Sequence, residues 1–121
     1  MSKFGEMVRE RRKELRLGLR ECAMRADIDP GNLSKIERGR LPPPQDEHLL
    51  DRICLALEYE VGSTEADTLR DIAATENGRI PAEILEDEEV MSKMPVLLRT
   101  VHNKQLQAEQ IEELIEMIRN A

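Results

Sequence analysis

A chain of 121 residues that is 40% hydrophobic but only 2% aromatic has room for one modest core, built from Leu, Ile, Val, Met and Ala rather than from rings. Its net charge of −7 conceals a division: residues 1–40 hold 11 Lys or Arg against 7 Asp or Glu, whereas residues 41–121 hold 7 against 18. No apolar run nears the roughly 18 residues that a bilayer span needs, and the charged stretch MSKFGEMVRERRKEL argues against a secretory signal, so a cytoplasmic protein with no membrane partner is expected.

Phe4, Met7, Val8, Arg11 or Arg12, and Leu15 recur at helical spacing and predict a first helix over about residues 3–16, broken by Gly18. Leu19, Cys22, Ala23 and Ala26 repeat the pattern in a short second helix. Asp29 followed by Pro30 supplies the N-cap and first-turn proline of a third, whose inward residues are Leu33 and Ile36. Gly39 stands where a left-handed C-cap ends that helix, and Pro42, Pro43 and Pro44 forbid another until about Gln45.

Over QDEHLLDRICLALE, Leu49, Leu50, Ile53, Cys54 and Leu57 share one face of a fourth helix. Ser63 or Thr64 caps a fifth, which turns Ala66, Leu69, Ile72 and Ala73 inward and stops at Asn77 and Gly78. Further on, Pro81 starts a short helical turn holding Ile84 and Leu85, and Pro95 starts another holding Val96, Leu97, Leu98 and Val101. In QAEQIEELIEMIRN, Ile111, Leu114, Ile115 and Ile118 form the stripe of an amphipathic helix. No segment alternates with strand period, so the expected fold class is all-α, with a soft boundary near residues 76–81.

Cys22 and Cys54 are not paired as in a zinc knuckle or redox dithiol and fall among apolar residues, so both read as reduced core thiols. His48 and His102 are isolated and are expected to be solvent-exposed. The acidic run Glu86, Asp87, Glu88, Glu89 lacks the alternating ligands and glycine of a calcium loop and reads as a solvated turn. Neither a metal site nor a cofactor is expected. With no phosphate-binding glycine loop and no nucleophile beside a histidine, the chain is not expected to be an enzyme.

Between residues 17 and 40, a short helix, a tight turn and a second short helix make a helix-turn-helix pattern. The stretch VRERRKELRLGLRECAMRADIDPGNLSKIERGRLPPP resembles the Cro and phage-repressor type of helix-turn-helix regulators, the xenobiotic-response-element family. Leu33, Ile36, Glu37, Gly39 and the prolines after them stand at that family's usual positions, and Leu49 to Leu57 match its fourth helix. The resemblance covers about residues 4–75. It implies a five-helix DNA-binding domain, placed at residues 1–76, followed by a helical region for dimerisation or partner binding at residues 77–121.

The resemblance also implies that the third helix enters the major groove of double-stranded DNA. Its outward Asn32, Ser34 and Lys35 are the base-reading candidates, since Asn pairs with adenine and Lys donates to guanine. Arg12, Arg20, Arg38 and Arg40, together with the backbone amide at Gly31, are the phosphate candidates. Glu37 would be repelled by phosphate and is assigned to the fold. The sequence departs from the family at Leu19, where Gln is usual, and at Asp27, which replaces a glycine of the turn.

The function expected is that of a dimeric transcriptional repressor occupying an operator, joined through the stripe Ile111, Leu114, Ile115 and Ile118. The alternative is an antitoxin-like protein, whose acidic C-terminal half binds a toxin or a metallopeptidase while the N-terminal half autoregulates.

Overall fold

The computed structural model describes residues 2–80 and 82–121, which are helical throughout their regular structure. The helices are α1 (Lys3–Glu14), α2 (Leu19–Ala26), α3 (Pro30–Glu37), α4 (Glu47–Ala56), α5 (Thr64–Glu76), α6 (Ala82–Leu85), α7 (Glu88–Lys104) and α8 (Ala108–Arg119). The all-α expectation therefore holds. The chain divides into two units, residues 1–81 and 82–121.

Side-chain caps start four of the five helices of the first unit, α2 being the exception. Ser2 accepts from the Gly5 amide at 2.9 Å, Asp29 from Asn32 at 3.1 Å, Asp46 from His48 at 2.9 Å and Ser63 from Ala66 at 3.2 Å. Each such bond satisfies an amide that the helix cannot, a contribution of about 1 kcal/mol. The first helix ends earlier than its periodicity predicts. Arg16 takes a left-handed backbone with φ 57°, and Leu17 N–H donates back to Arg12 O at 3.0 Å, which turns the Leu17 side chain into the core. Gly18 is not the breaker: it is the extended N-cap residue of α2.

Phe4, Val8, Leu33, Ile53, Leu57 and Leu69 are almost wholly buried and come from α1, α3, α4 and α5 or their ends. Burial of each contributes about 1.5–3 kcal/mol. Cys22, Ala23 and Ala26 bring α2 against α4, while Leu49 and Ile72 lie at the partly buried margin of this core. Polar links close the unit: the Phe4 amide donates to Glu76, Asn77 Nδ2 donates to Pro43 O at 2.9 Å, and Arg70 pairs with Asp51.

In the second unit α6 packs on α7. Pro81, expected to open the short turn, lies outside the described residues. Two further expectations are corrected. Asp87 caps α7 by accepting from Val90 N–H at 3.1 Å, so the acidic run is exposed as expected but only Glu86 lies in a turn, with Glu88 and Glu89 in the first turn of α7 where the helix dipole favours acids. Helix α7 then continues through Pro95 instead of starting there. A proline inside a helix forfeits one backbone bond, and the cap at Asp87 with the long run on either side sustains the helix across it. No helix among the described residues is long and apolar enough to cross a membrane.

Candidate nucleic-acid interface

The turn between α2 and α3 is set by Asp27, whose backbone is left-handed at φ 53° and ψ 51°. Ile28 N–H donates to Ala23 O at 2.9 Å, a closure that satisfies the last carbonyls of α2. Asp is among the few residues other than glycine that adopt this conformation readily, so the turn keeps its shape without the glycine. Arg52 on α4 reinforces it, donating from Nε to Ala26 O at 2.9 Å.

Helix α3 ends as Gly39 predicts. That residue has φ 76°, Gly39 N–H donates to Ile36 O at 3.1 Å, and Arg40 N–H donates to Lys35 O at 2.8 Å. The chain then leaves through the prolines, of which Pro43 is buried. At the other end Asp29 occupies the Asn32 amide and Pro30 has none, so Gly31 contributes the free first-turn amide. The Asp29 carboxylate stands beside that amide: a Cβ added to Gly31 would lie 3.0 Å from Asp29 Oδ2.

Around α3 the side chains sort into two sets. Leu33, Ile36 and Glu37 are buried, while Gly31, Asn32, Lys35, Arg38 and Arg40 are exposed and Ser34 is half-buried. Arg20 is exposed in the first turn of α2. Among the described residues no carboxylate lies within ion-pair distance of Arg20, Lys35, Arg38 or Arg40, whereas Arg25 is held by Glu21 at 3.2 Å and Glu58 at 3.8 Å.

Arg12, expected among the phosphate contacts, is engaged within the fold. Its Nε donates to Glu37 Oε2 at 2.8 Å, its Nη2 to Glu37 Oε1 at 2.9 Å and its Nη1 to Leu17 O at 2.9 Å. The Glu37 side chain is 5% exposed and that of Arg12 14%, so this is a forked ion pair beneath α3. The hydrogen bonds to Glu37 raise the Arg12 pKa further above the ordinary arginine value.

Sequence reasoning passed over Gly5. A Cβ there would stand 2.4 Å from Ile36 O and 2.7 Å from Glu37 O, so α1 crosses the end of α3 backbone to backbone. The signal was available, since a glycine inside an amphipathic helix costs about 1 kcal/mol and calls for a packing reason. Arg11 is likewise structural: it donates from Nε to Leu57 O at 3.0 Å and lies 4.6 Å from the centroid of the Tyr59 ring. Cys22 and Cys54 are free, buried thiols whose pKa burial pushes up, so both are held in the neutral form.

The described residues contain no cluster of His, Cys, Asp and Glu able to hold a metal ion. Comparison with curated proteins gave no match, and comparison with solved structures gave none. A family model described as a helix-turn-helix domain matches residues 3–69. That span runs from the first residue of α1 to the buried Leu69 of α5, and contains the α2–turn–α3 unit and the Arg12–Glu37 pair. This chain belongs to the helix-turn-helix domain family.

Proposed function

We propose that this protein is a dimeric transcriptional repressor of the Cro and phage-repressor type, acting in the cytoplasm by occupying an operator in double-stranded DNA. One observation carries it. Arg20, Lys35, Arg38 and Arg40 are exposed around α3 without, among the described residues, a carboxylate to neutralise them, while the one acid of α3, Glu37, is turned inward and matched by Arg12.

In this mechanism α3 lies in the major groove. Lys35 and Asn32 reach base edges, with Ser34 beside them at its half-buried position. Arg20, Arg38 and Arg40 bind phosphates and fix the register, which supplies affinity without reading sequence. The Gly31 amide is a weaker phosphate site than a bare helix start because Asp29 stands next to it. Dimerisation through the α8 stripe Ile111, Leu114, Ile115 and Ile118 presents two copies of α3 to half-sites about one DNA turn, roughly 34 Å, apart. An occupied operator then excludes the transcription machinery.

The test selects bound sites from random duplex DNA and compares variants on the selected site and on random duplex. Lys35→Ala is expected to weaken the selected site by about 1–3 kcal/mol while hardly changing random duplex. Arg38→Ala and Arg40→Ala are expected to weaken both equally and to flatten the salt dependence by about one unit of slope each. Failure to enrich any sequence, or equal losses for all three variants, refutes sequence-specific reading by α3.

A further inference from the structure

Helix α1 keeps its exposed cations and its exposed acids on different edges. Gly5 lies against Ile36 O and Glu37 O, and Arg12 holds Glu37, so these two residues mark the line along which α1 meets α3. The buried Val8 stands on the core side of that line. With about 3.6 residues per turn, Arg9 comes first on its solvent side, followed by Lys13. Glu6, Glu10 and Glu14 lie further round, away from α3, with Lys3 among them. Helix α3 turns Glu37 toward the same line, with the buried Leu33 on the core side. On its solvent side come Ser34 and then Arg38, part of the surface that the proposed mechanism presents to DNA. The cation edge of α1 therefore continues the outward surface of α3.

Arg9 and Lys13 are both exposed, and among the described residues neither has a carboxylate within ion-pair distance. Glu6 and Glu10 stand three residues ahead of them, within reach on a helix, yet neither closes the pair. Arg11 with Glu14 at 3.3 Å and Arg25 with Glu21 at 3.2 Å do close theirs. Arg9 and Lys13 are also four residues apart, where like charges repel and weaken the helix that carries them. An anion laid across both removes that repulsion, and the polyanion already brought to α3 in the proposed mechanism is the duplex.

We infer that α1 is a second phosphate-binding edge, on which Arg9 and Lys13 contact the strand backbone bordering the groove that α3 enters. This rests on the reading of the chain as a binder of duplex DNA and deepens it by adding two residues of α1 to Arg20, Arg38 and Arg40. It needs neither sequence reading nor a dimer.

The experiment measures the affinity of the full-length chain for a random-sequence duplex as a function of salt, because phosphate contacts are blind to sequence, with circular dichroism to verify that each variant is folded. The Arg9→Ala, Lys13→Ala double variant is expected to bind more weakly and to lower the slope of log affinity against log salt by about two units, one for each phosphate released. Lys3→Ala removes a cation from the far edge of the same helix and is expected to leave the slope unchanged. A fall of less than about one unit in the double variant overturns the α1 edge. If Arg38→Ala and Arg40→Ala still lower the slope in that case, the DNA reading stands without it. A fall for Lys3→Ala as large as half that of the double variant assigns the effect to net charge and likewise overturns the α1 edge. If the unaltered chain shows no salt-dependent binding to duplex at all, the DNA reading fails and the α1 edge fails with it.

Discussion

Arg12 and Glu37 show how one residue's role changes with its burial. On the α1 surface Arg12 would be a cation for phosphate; in the fold its guanidinium is spent on Glu37 and Leu17 O. Removing one partner leaves the other charge buried and alone, which costs about 3–5 kcal/mol. Arg12→Ala is therefore expected to lower the urea midpoint sharply. The variant that remains folded, measured below its unfolding transition, should keep the salt slope of DNA binding, whereas a phosphate contact would reduce that slope. At Gly5 the effect is steric: Gly5→Ala forces a methyl into the Ile36 and Glu37 carbonyls and is expected to cost about 1–3 kcal/mol. Asp27→Gly has the opposite sign, relieving a left-handed non-glycine residue, and should raise stability by less than about 1 kcal/mol, read as a modest upward shift in thermal midpoint.

At the scale of the element, several of the caps and turn residues of the first unit are legible because each is a local signal. Asp29 with Pro30, Ser63, and Gly39 with its trailing prolines mark boundaries that the chain enforces within a few residues. The extent of α7 was not legible in the same way. Proline is tolerated in a first turn, so Pro95 by itself predicts a start, and the cap at Asp87 eight residues earlier lies inside an acidic run. Pro95→Ala restores a backbone amide within α7 and is expected to increase helical circular dichroism and to raise the thermal midpoint of any transition involving residues 82–121; no change would mean that α7 is not continuous in solution. In α8, Leu114→Asp with Ile118→Asp is expected to yield a monomer whose first unit remains folded. Persistence of dimers at micromolar concentration would place the interface elsewhere.

Across the whole molecule, the two thiols provide a pH dependence. Burial raises the pKa of Cys22 and Cys54 in the folded chain, while in the unfolded chain they ionise in the ordinary range near 8.5. A raised folded value means that the thiols' contribution to stability is fully present below that range and is lost as pH rises through it toward the folded values. Stability to urea should therefore fall above about pH 8.5, and the fall should be smaller in the Cys22→Ala, Cys54→Ala double variant. An equal fall in both would assign the alkaline sensitivity to other groups.

Local spacing by itself determined the helix-turn-helix pattern between residues 17 and 40, because helical periodicity, N-caps and left-handed C-caps act over at most a few residues. The same local signals located α3 and its outward face, since Leu33 and Ile36 fix which side is inward. Only the tertiary structure shows which cation is held within the fold. Arg12 and Arg20 are indistinguishable as letters in a basic segment, and their difference arises because Glu37, 25 positions along the chain from Arg12, is brought against the Arg12 guanidinium. Gly5 likewise acquires its meaning from a carbonyl of Ile36 that only the crossing of α1 and α3 brings near. Contacts of this range depend on how whole helices pack, and no periodicity within one helix encodes them.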